Sequence, residues 1–348
     1  MRDLNLLPKA HLHLHFTGSM DVATLRELSR AARLDLPDEL LDALALDVPP
    51  GDRGWFRFQR LYEAARRVAT SEAAMRTVLR RAVEHDAAEG VRRLELQVDP
   101  SGYVEAVGSL EVALEIVLDE ARRAGADAGV QVAIVVAASR RRHPLDARAL
   151  ARLAARHAGD GPGQVIAFGL SNDERAGDTA DWEAAFRIAR RAGLAGVPHA
   201  GELRGPDHVR EVLRHLQPTR LGHGVRAAED PRLLAELAEA GIAVEVCPTS
   251  NVHMGIFDDV SAVPLRAFRA AGVDVALSAD DPLLFLSRLT DQYAAARERL
   301  GFSDDELADL ARSSITASLA APSDKARWLA EVDTWLASPT GGAAEAMA

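Results

Sequence analysis

A single cysteine, Cys247, stands in this chain of 348 residues. One thiol excludes an intramolecular disulfide framework and any zinc site built on several thiolates. Basic excess is missing too: 41 Lys and Arg face 52 Asp and Glu, a formal net charge of -11. Nucleic-acid binders carry a basic patch that neutralises phosphates, so nucleic acid is not an expected partner. No run approaches the ~20 apolar residues of a membrane-spanning helix. Met1 to Lys9 also lacks a basic segment followed by an apolar one. These absences predict a soluble, cytoplasmic protein without a membrane partner. What is plentiful is apolar content, at 48%. That is enough for a large core, in one barrel-sized domain or two smaller ones.

Short runs rich in Val, Ile and Leu alternate with long Ala-, Leu-, Arg- and Glu-rich segments, the pattern of repeated βα units around a parallel sheet. Strands are predicted at residues 10 to 15, 91 to 98, 131 to 137, 164 to 170, 195 to 200, 219 to 223, 242 to 247 and 273 to 278. Eight is the number that closes a (β/α)8 TIM barrel, so one domain over residues 1–337 is expected. Residues 19–90 form a helical insertion after the first strand. It holds a Pro/Gly/Asp-rich loop at Asp47 to Gly54 and the aromatics Trp55, Phe56 and Phe58. Such a segment can add packing and also cover the barrel mouth as a lid. The Pro-, Gly- and Ala-rich tail, residues 338–348, is expected to be disordered.

Three histidines, His11, His13 and His15, occupy alternate positions of the first strand. In an extended strand they share one face, and a pair at i and i+2 can reach one cation. A half-buried strand that happens to carry histidines has the same spacing. The rest of the chain separates the two. In a (β/α)8 barrel the site is assembled at the C-terminal ends of the strands. Those ends carry His13, His15, His199 and His223, with Asp280 and Asp281 just after the last strand. His199 and His223 each stand beside glycine, where backbone can approach a ligand closely. The remaining His85, His143, His157, His208, His215 and His253 fall in helical or loop contexts that suit surface or capping roles.

Five motifs follow one another: Lys9-Ala10-His11-Leu12-His13-Leu14-His15-Phe16-Thr17-Gly18-Ser19, His199-Ala200-Gly201-Glu202, Arg220-Leu221-Gly222-His223-Gly224, Cys247-Pro248-Thr249-Ser250-Asn251 and Ser278-Ala279-Asp280-Asp281-Pro282. In this order they resemble the signatures of the adenosine/adenine deaminase family of the amidohydrolase superfamily, from about Leu7 to Leu319. The resemblance implies an amidohydrolase-type barrel with one zinc ion per subunit held by His13, His15, His199 and Asp280. It implies catalytic roles for Glu202, as proton donor and carrier, and for His223, which orients the attacking water. Asp281 would meet purine N7, although an Asp-Asp-Pro turn is also a good helix cap. His11, where the family usually has Glu, would support the ligands from below. Cys247 lacks a cysteine partner and reads as packing. The His/Cys plus Pro-Cys-x-x-Cys pattern of cytidine-type deaminases is absent.

The implied reaction is hydrolytic deamination of a 6-aminopurine nucleoside to the 6-oxopurine and ammonia. Departures from the family pattern bear on the substrate. Thr17 stands where adenosine-specific members have Asp and adenine-specific members Glu, and a short neutral hydroxyl leaves room beside the 5' carbon. Asn172, in Gly169-Leu170-Ser171-Asn172-Asp173-Glu174, replaces the glycine whose N–H meets purine N3. Gln97 stands where arginine is common. Thr17, Asn172 and Gly169 are therefore candidate substrate contacts beside Asp281. The expected substrate is adenosine or a 5'-substituted adenosine, with 6-amino-6-deoxyfutalosine of menaquinone biosynthesis as the alternative physiological one and adenine as a further option. Another mononuclear-zinc amidohydrolase is the rival class. Bridged two-metal sites use a lysine at the end of strand four, which this chain lacks there.

Overall fold

The computed structural model describes residues 1–42 and 44–339. Apart from Ser338 and Pro339, the tail expected to be disordered lies outside the described residues. Eight parallel strands follow in chain order around the sheet: β1 (Lys9–His15), β2 (Val91–Val98), β3 (Gln131–Ser139), β4 (Val165–Ser171), β5 (Ala195–Ala200), β6 (Arg220–His223), β7 (Ala243–Val246) and β8 (Val275–Leu277). Each predicted strand is present, with ends displaced by at most two residues. Their side chains are almost all buried, as expected where both faces of a parallel sheet are covered.

The ring closes where the two ends of the chain meet. The His15 N–H donates to the Asp280 carbonyl at 3.0 Å and the Asp280 N–H to the His13 carbonyl at 3.1 Å. The helix Asp304–Ala317, started by a Ser303/Glu306 capping box, packs on both β8 and β1 across this seam.

The segment between β1 and β2 contains α1 (Val22–Ala32), α2 (Asp38–Leu41), α3 (Asp52–Arg66) and α4 (Glu72–Ala88). Helix α4 packs on β2 and on the helix Leu110–Ala128, so it is the first helix of the outer ring and not part of an inserted lid. The inserted piece is α1 to α3. Along α3, Trp55, Phe58, Gln59 and Tyr62 face the barrel mouth, while Phe56 is exposed. Phe58 stacks on Phe285, which follows β8. One face of α3 thus both packs against the barrel and lines the cavity.

Candidate active site

At the C-terminal end of the barrel lies a cavity of about 350 Å³ whose floor is formed by His15, His199, Glu202, His223, Asp280 and Asp281. The period-2 geometry of β1 brings His13 and His15 to one side, with His13 wholly buried beneath. His15 Nε2 lies 3.2 Å from His199 Nε2 and 3.2 Å from Asp280 Oδ1, and His13 Nε2 is 3.5 Å from the same oxygen. Donors held about 2.0–2.1 Å from one ion in a tetrahedron are ~3.3 Å apart. His13 Nε2 has no hydrogen-bond partner despite full burial. The protonation states agree with a cation site. Burial lowers the pKa of both His15 and His199, so these imidazoles are neutral. Against burial, the adjoining imidazoles of His13 and His15 hold Asp280 well below the usual carboxylate range. His13 would be lowered by burial, yet Asp280 and Glu245 raise it to about 10. Imidazoles around an ionised carboxylate are the donor set of a transition metal, and the placement of His13, His15, His199 and Asp280 fits one.

Two of these donors, His13 and Asp280, are oriented by buried partners. Glu245 Oε2 accepts from His13 Nδ1 at 2.8 Å, leaving Nε2 free for the site. Arg220 Nε donates to the other oxygen of Glu245 at 2.7 Å, and Arg220 Nη2 to Glu95 at 2.6 Å. Arg93 also donates to Glu95, at 3.1 Å. Sequence reasoning passed over this ion network, although charges at 93, 95, 220 and 245 inside otherwise apolar strands were its signal. Ser250 donates to Asp280 Oδ2 at 2.6 Å, leaving Oδ1 facing the histidines. Asn251 Nδ2 lies 3.2 Å from His223 Nδ1, a bond that leaves the proton on Nε2. The Cys-Pro-Thr-Ser-Asn motif therefore acts through its last two residues. Cys247 is buried, and burial pushes its thiol well up, so it remains protonated and packs. His11 Nδ1 meets Asp86 at 2.9 Å while Nε2 accepts from the Ala279 N–H at 3.1 Å, which holds the backbone just before Asp280.

Glu202 is 3.8 Å from His223 Nε2. Burial first, then the charges of Asp280 and Glu174, push its carboxyl well above the ordinary range, whereas burial pushes His223 down to about 4. Burial thus favours the protonated form of the carboxyl and the neutral form of the imidazole. Glu174 was also overlooked. Its two oxygens accept three successive N–H groups, from Glu202, Leu203 and Arg204, at 2.8 to 3.0 Å, and so fix the loop that presents Glu202. His208 is not at the surface as its helical context suggested. It is buried 3.6 Å from Glu174, because this face of its helix covers the loop. The other five histidines outside the site pair with acids or, at His143, cap a helix.

Asp281 is buried, and burial together with the charge of Asp280 raises its carboxyl well above the ordinary range. Only glycine fits opposite, since a Cβ on Gly18 would sit 1.7 Å from Asp281 Oδ1. Three non-glycine residues of the site adopt left-handed backbone, Asn172 (φ 75°), His223 (φ 59°) and Asp280 (φ 63°). Such conformations cost about 1–3 kcal/mol each and cluster at functional sites. Asn172 lines the cavity and donates to Gln59 of α3 at 3.2 Å. Thr17 and Gly169 do not line it. Gly169 is packed between β3 and β5, and the Thr17 hydroxyl meets that of Tyr103 at 2.7 Å, so Tyr103 is the surface the cavity sees.

A family profile described as adenosine deaminase matches residues 8–335. A Streptomyces coelicolor protein, itself provisionally assigned as an adenosine/adenine deaminase, is 51% identical over 341 residues, covering 97% of this chain and 98% of its own. The adenine deaminase of Agrobacterium fabrum is 32% identical over 330 residues, covering 94% of this chain and 98% of its own. Among solved structures, the adenine deaminase of Arthrobacter aurescens has a TM-score of 0.86 at 28% identity, covering 95% of this chain and 100% of that one. Barrel and family profile define a (β/α)8-barrel hydrolase. Within that class the chain belongs to the adenosine deaminase family, enzymes acting on C–N bonds. No helix among the described residues is long and apolar enough to cross a membrane.

Proposed function

We propose that the protein catalyses zinc-dependent hydrolytic deamination of a 6-aminopurine nucleoside, adenosine or a 5'-substituted adenosine, releasing ammonia. The observation that carries this reading is the placement, over one imidazole-carboxylate floor, of Glu202 3.8 Å from His223 Nε2, with burial raising the carboxyl and lowering the imidazole. His13, His15, His199 and Asp280 would hold the zinc ion, which would supply Lewis acidity that lowers the pKa of water toward neutrality. Attack at C6 of an aminopurine breaks ring conjugation, so it needs a proton delivered to ring nitrogen N1. Glu202 is the acid for that transfer, with its pKa raised into the working range. His223 Nε2–H orients the water and stabilises charge growing on its oxygen. Asp281, whose carboxyl burial and the charge of Asp280 push toward the protonated form, is the donor for N7, which is an acceptor. Trp55 and Phe58 of α3 cover the ring and exclude solvent.

The names of the Agrobacterium and Arthrobacter relatives favour a second reading, adenine as substrate. The test follows the ultraviolet change from 6-amino- to 6-oxopurine on zinc-loaded protein with adenosine, 5'-substituted adenosines, including 6-amino-6-deoxyfutalosine, and adenine. Turnover of a nucleoside with the highest kcat/KM supports the first reading. Preference for adenine replaces it with the second, and no turnover of any of them removes both.

A further inference from the structure

We propose that the substrate's 5' end carries an anionic group, a carboxylate or a phosphate, received by Arg66, Arg141 and Arg142 at the cavity mouth. The inference rests on the nucleoside reading above. C6 and N9 lie at opposite ends of a purine. With C6 at the floor, the sugar and whatever extends from its 5' carbon are directed outward, past Tyr62 and Tyr103, toward the three guanidinium groups that also line the cavity.

Their surroundings leave capacity for a ligand. Arg141 and Arg142 stand on the turn that leaves β3, shaped by bonds from their own N–H groups to Ser139. Neither guanidinium pairs with a carboxylate among the described residues, and both are exposed. Arg66 ends α3 with 19% of its side chain accessible, flat over the Tyr62 ring at 5.1 Å and bonded through Nη1 to Glu63 at 3.0 Å. That single contact uses one edge of a five-donor fork. Two carboxylates share the mouth, Glu63 and Asp99. The first is the partner of Arg66, and Asp99 Oδ1 already accepts from the N–H and hydroxyl of Ser101. Arginines therefore outnumber acids here, in a chain whose net charge is -11. The adjoining wall supplies neutral hydroxyls, Tyr62, Tyr103 and behind it Thr17, so it does not repel an anion. The hydroxyls of an unsubstituted ribose call for no such cluster, whereas guanidinium forks match carboxylate and phosphate oxygens.

The experiment measures kcat/KM of the zinc-loaded enzyme for adenosine, adenosine 5'-carboxylate, adenosine 5'-monophosphate and adenine, at low and at high salt. Expected is a preference of at least about tenfold for one of the anionic compounds over adenosine, the scale of a charge-assisted hydrogen bond. The carboxylate and phosphate arms identify which anion is meant. The ratio of anionic substrate to adenosine should collapse toward one in Arg66→Gln and in the double variant Arg141→Gln/Arg142→Gln, and should shrink with salt. Adenosine preferred over both anions, or a ratio these variants leave unchanged, overturns the inference while the deaminase reading stands. Turnover of adenine alone, or of none of the four, removes the nucleoside reading and this inference with it.

Discussion

At the floor of the cavity, four of the side chains proposed for the chemistry are held by buried partners: His13 by Glu245, Asp280 by Ser250, His223 by Asn251, the Glu202 loop by Glu174. At the mouth, Arg141 and Arg142 have no ionic partner among the described residues, and the wall is borrowed from an inserted helix. The difference separates two tasks. A floor that must hold a metal and move a proton needs donors preorganised to fractions of an ångström. A mouth that selects a substituent can leave side chains solvated until the substrate desolvates them. Chemistry is therefore expected to be brittle to mutation, and selectivity to be graded.

Four variants test that division, beginning with the largest effect. Glu202→Gln should lower kcat about 10²–10⁴-fold with zinc content unchanged, since it removes the acid and leaves the ligands. Metal analysis beside the kinetics decides it, and lost zinc would place Glu202 among the ligands. Glu95→Gln strands the buried Arg220 and Arg93, and should cost about 3–5 kcal/mol in urea unfolding at neutral pH. Its pH dependence has a definite sign. Against burial, Arg220 and Arg93 hold Glu95 below its ordinary 4.5. The stabilisation is complete above that pH and disappears as pH falls through the folded-state value. Acidification below 4.5 should thus destabilise the native protein more steeply than the variant, as unfolding curves at successive pH values would register. Glu245→Gln should weaken metal binding about 10–100-fold in chelator competition, the usual effect of losing a ligand's hydrogen-bond partner. Thr17→Val should cost only about 0.5–1.5 kcal/mol of stability. A fall of about tenfold or more in kcat/KM, worth 1.4 kcal/mol at the transition state, would put the Thr17 hydroxyl on the substrate itself and blur the line between wall and backing.

The floor was more legible in the sequence than the wall, for a physical reason. Strand periodicity and the barrel rule together convert positions such as His13, His15, His199 and Asp280 into one location, because strand ends of a closed parallel sheet converge. Helical insertions have no such rule. Nothing in the order of residues says that Tyr62 and Arg66 of α3 meet Tyr103, or that Thr17 turns toward Tyr103 and away from the cavity. Nor did helical context disclose His208, since burial there depends on which helix face covers the Glu202 loop. The partition of residues 19–90 into α4 and an inserted α1 to α3 likewise required the packing of α4 on β2. Charged residues at 93, 95, 220 and 245 could have been read, and were not, as inward positions of buried strands.

The seam between β1 and β8 couples synthesis to function. Two of the proposed metal ligands come from the first strand of the barrel to leave the ribosome, and Asp280 follows the last, joined to them by reciprocal main-chain bonds. A nascent chain that stops short of residue 280 has its histidines but no complete cage. High-affinity metal uptake should therefore occur only after the ring has shut. An ion that binds the native state and not the unfolded chain stabilises it by mass action. The cofactor would then serve as a clasp, and loading in a pulse-chase experiment as a clock for barrel closure.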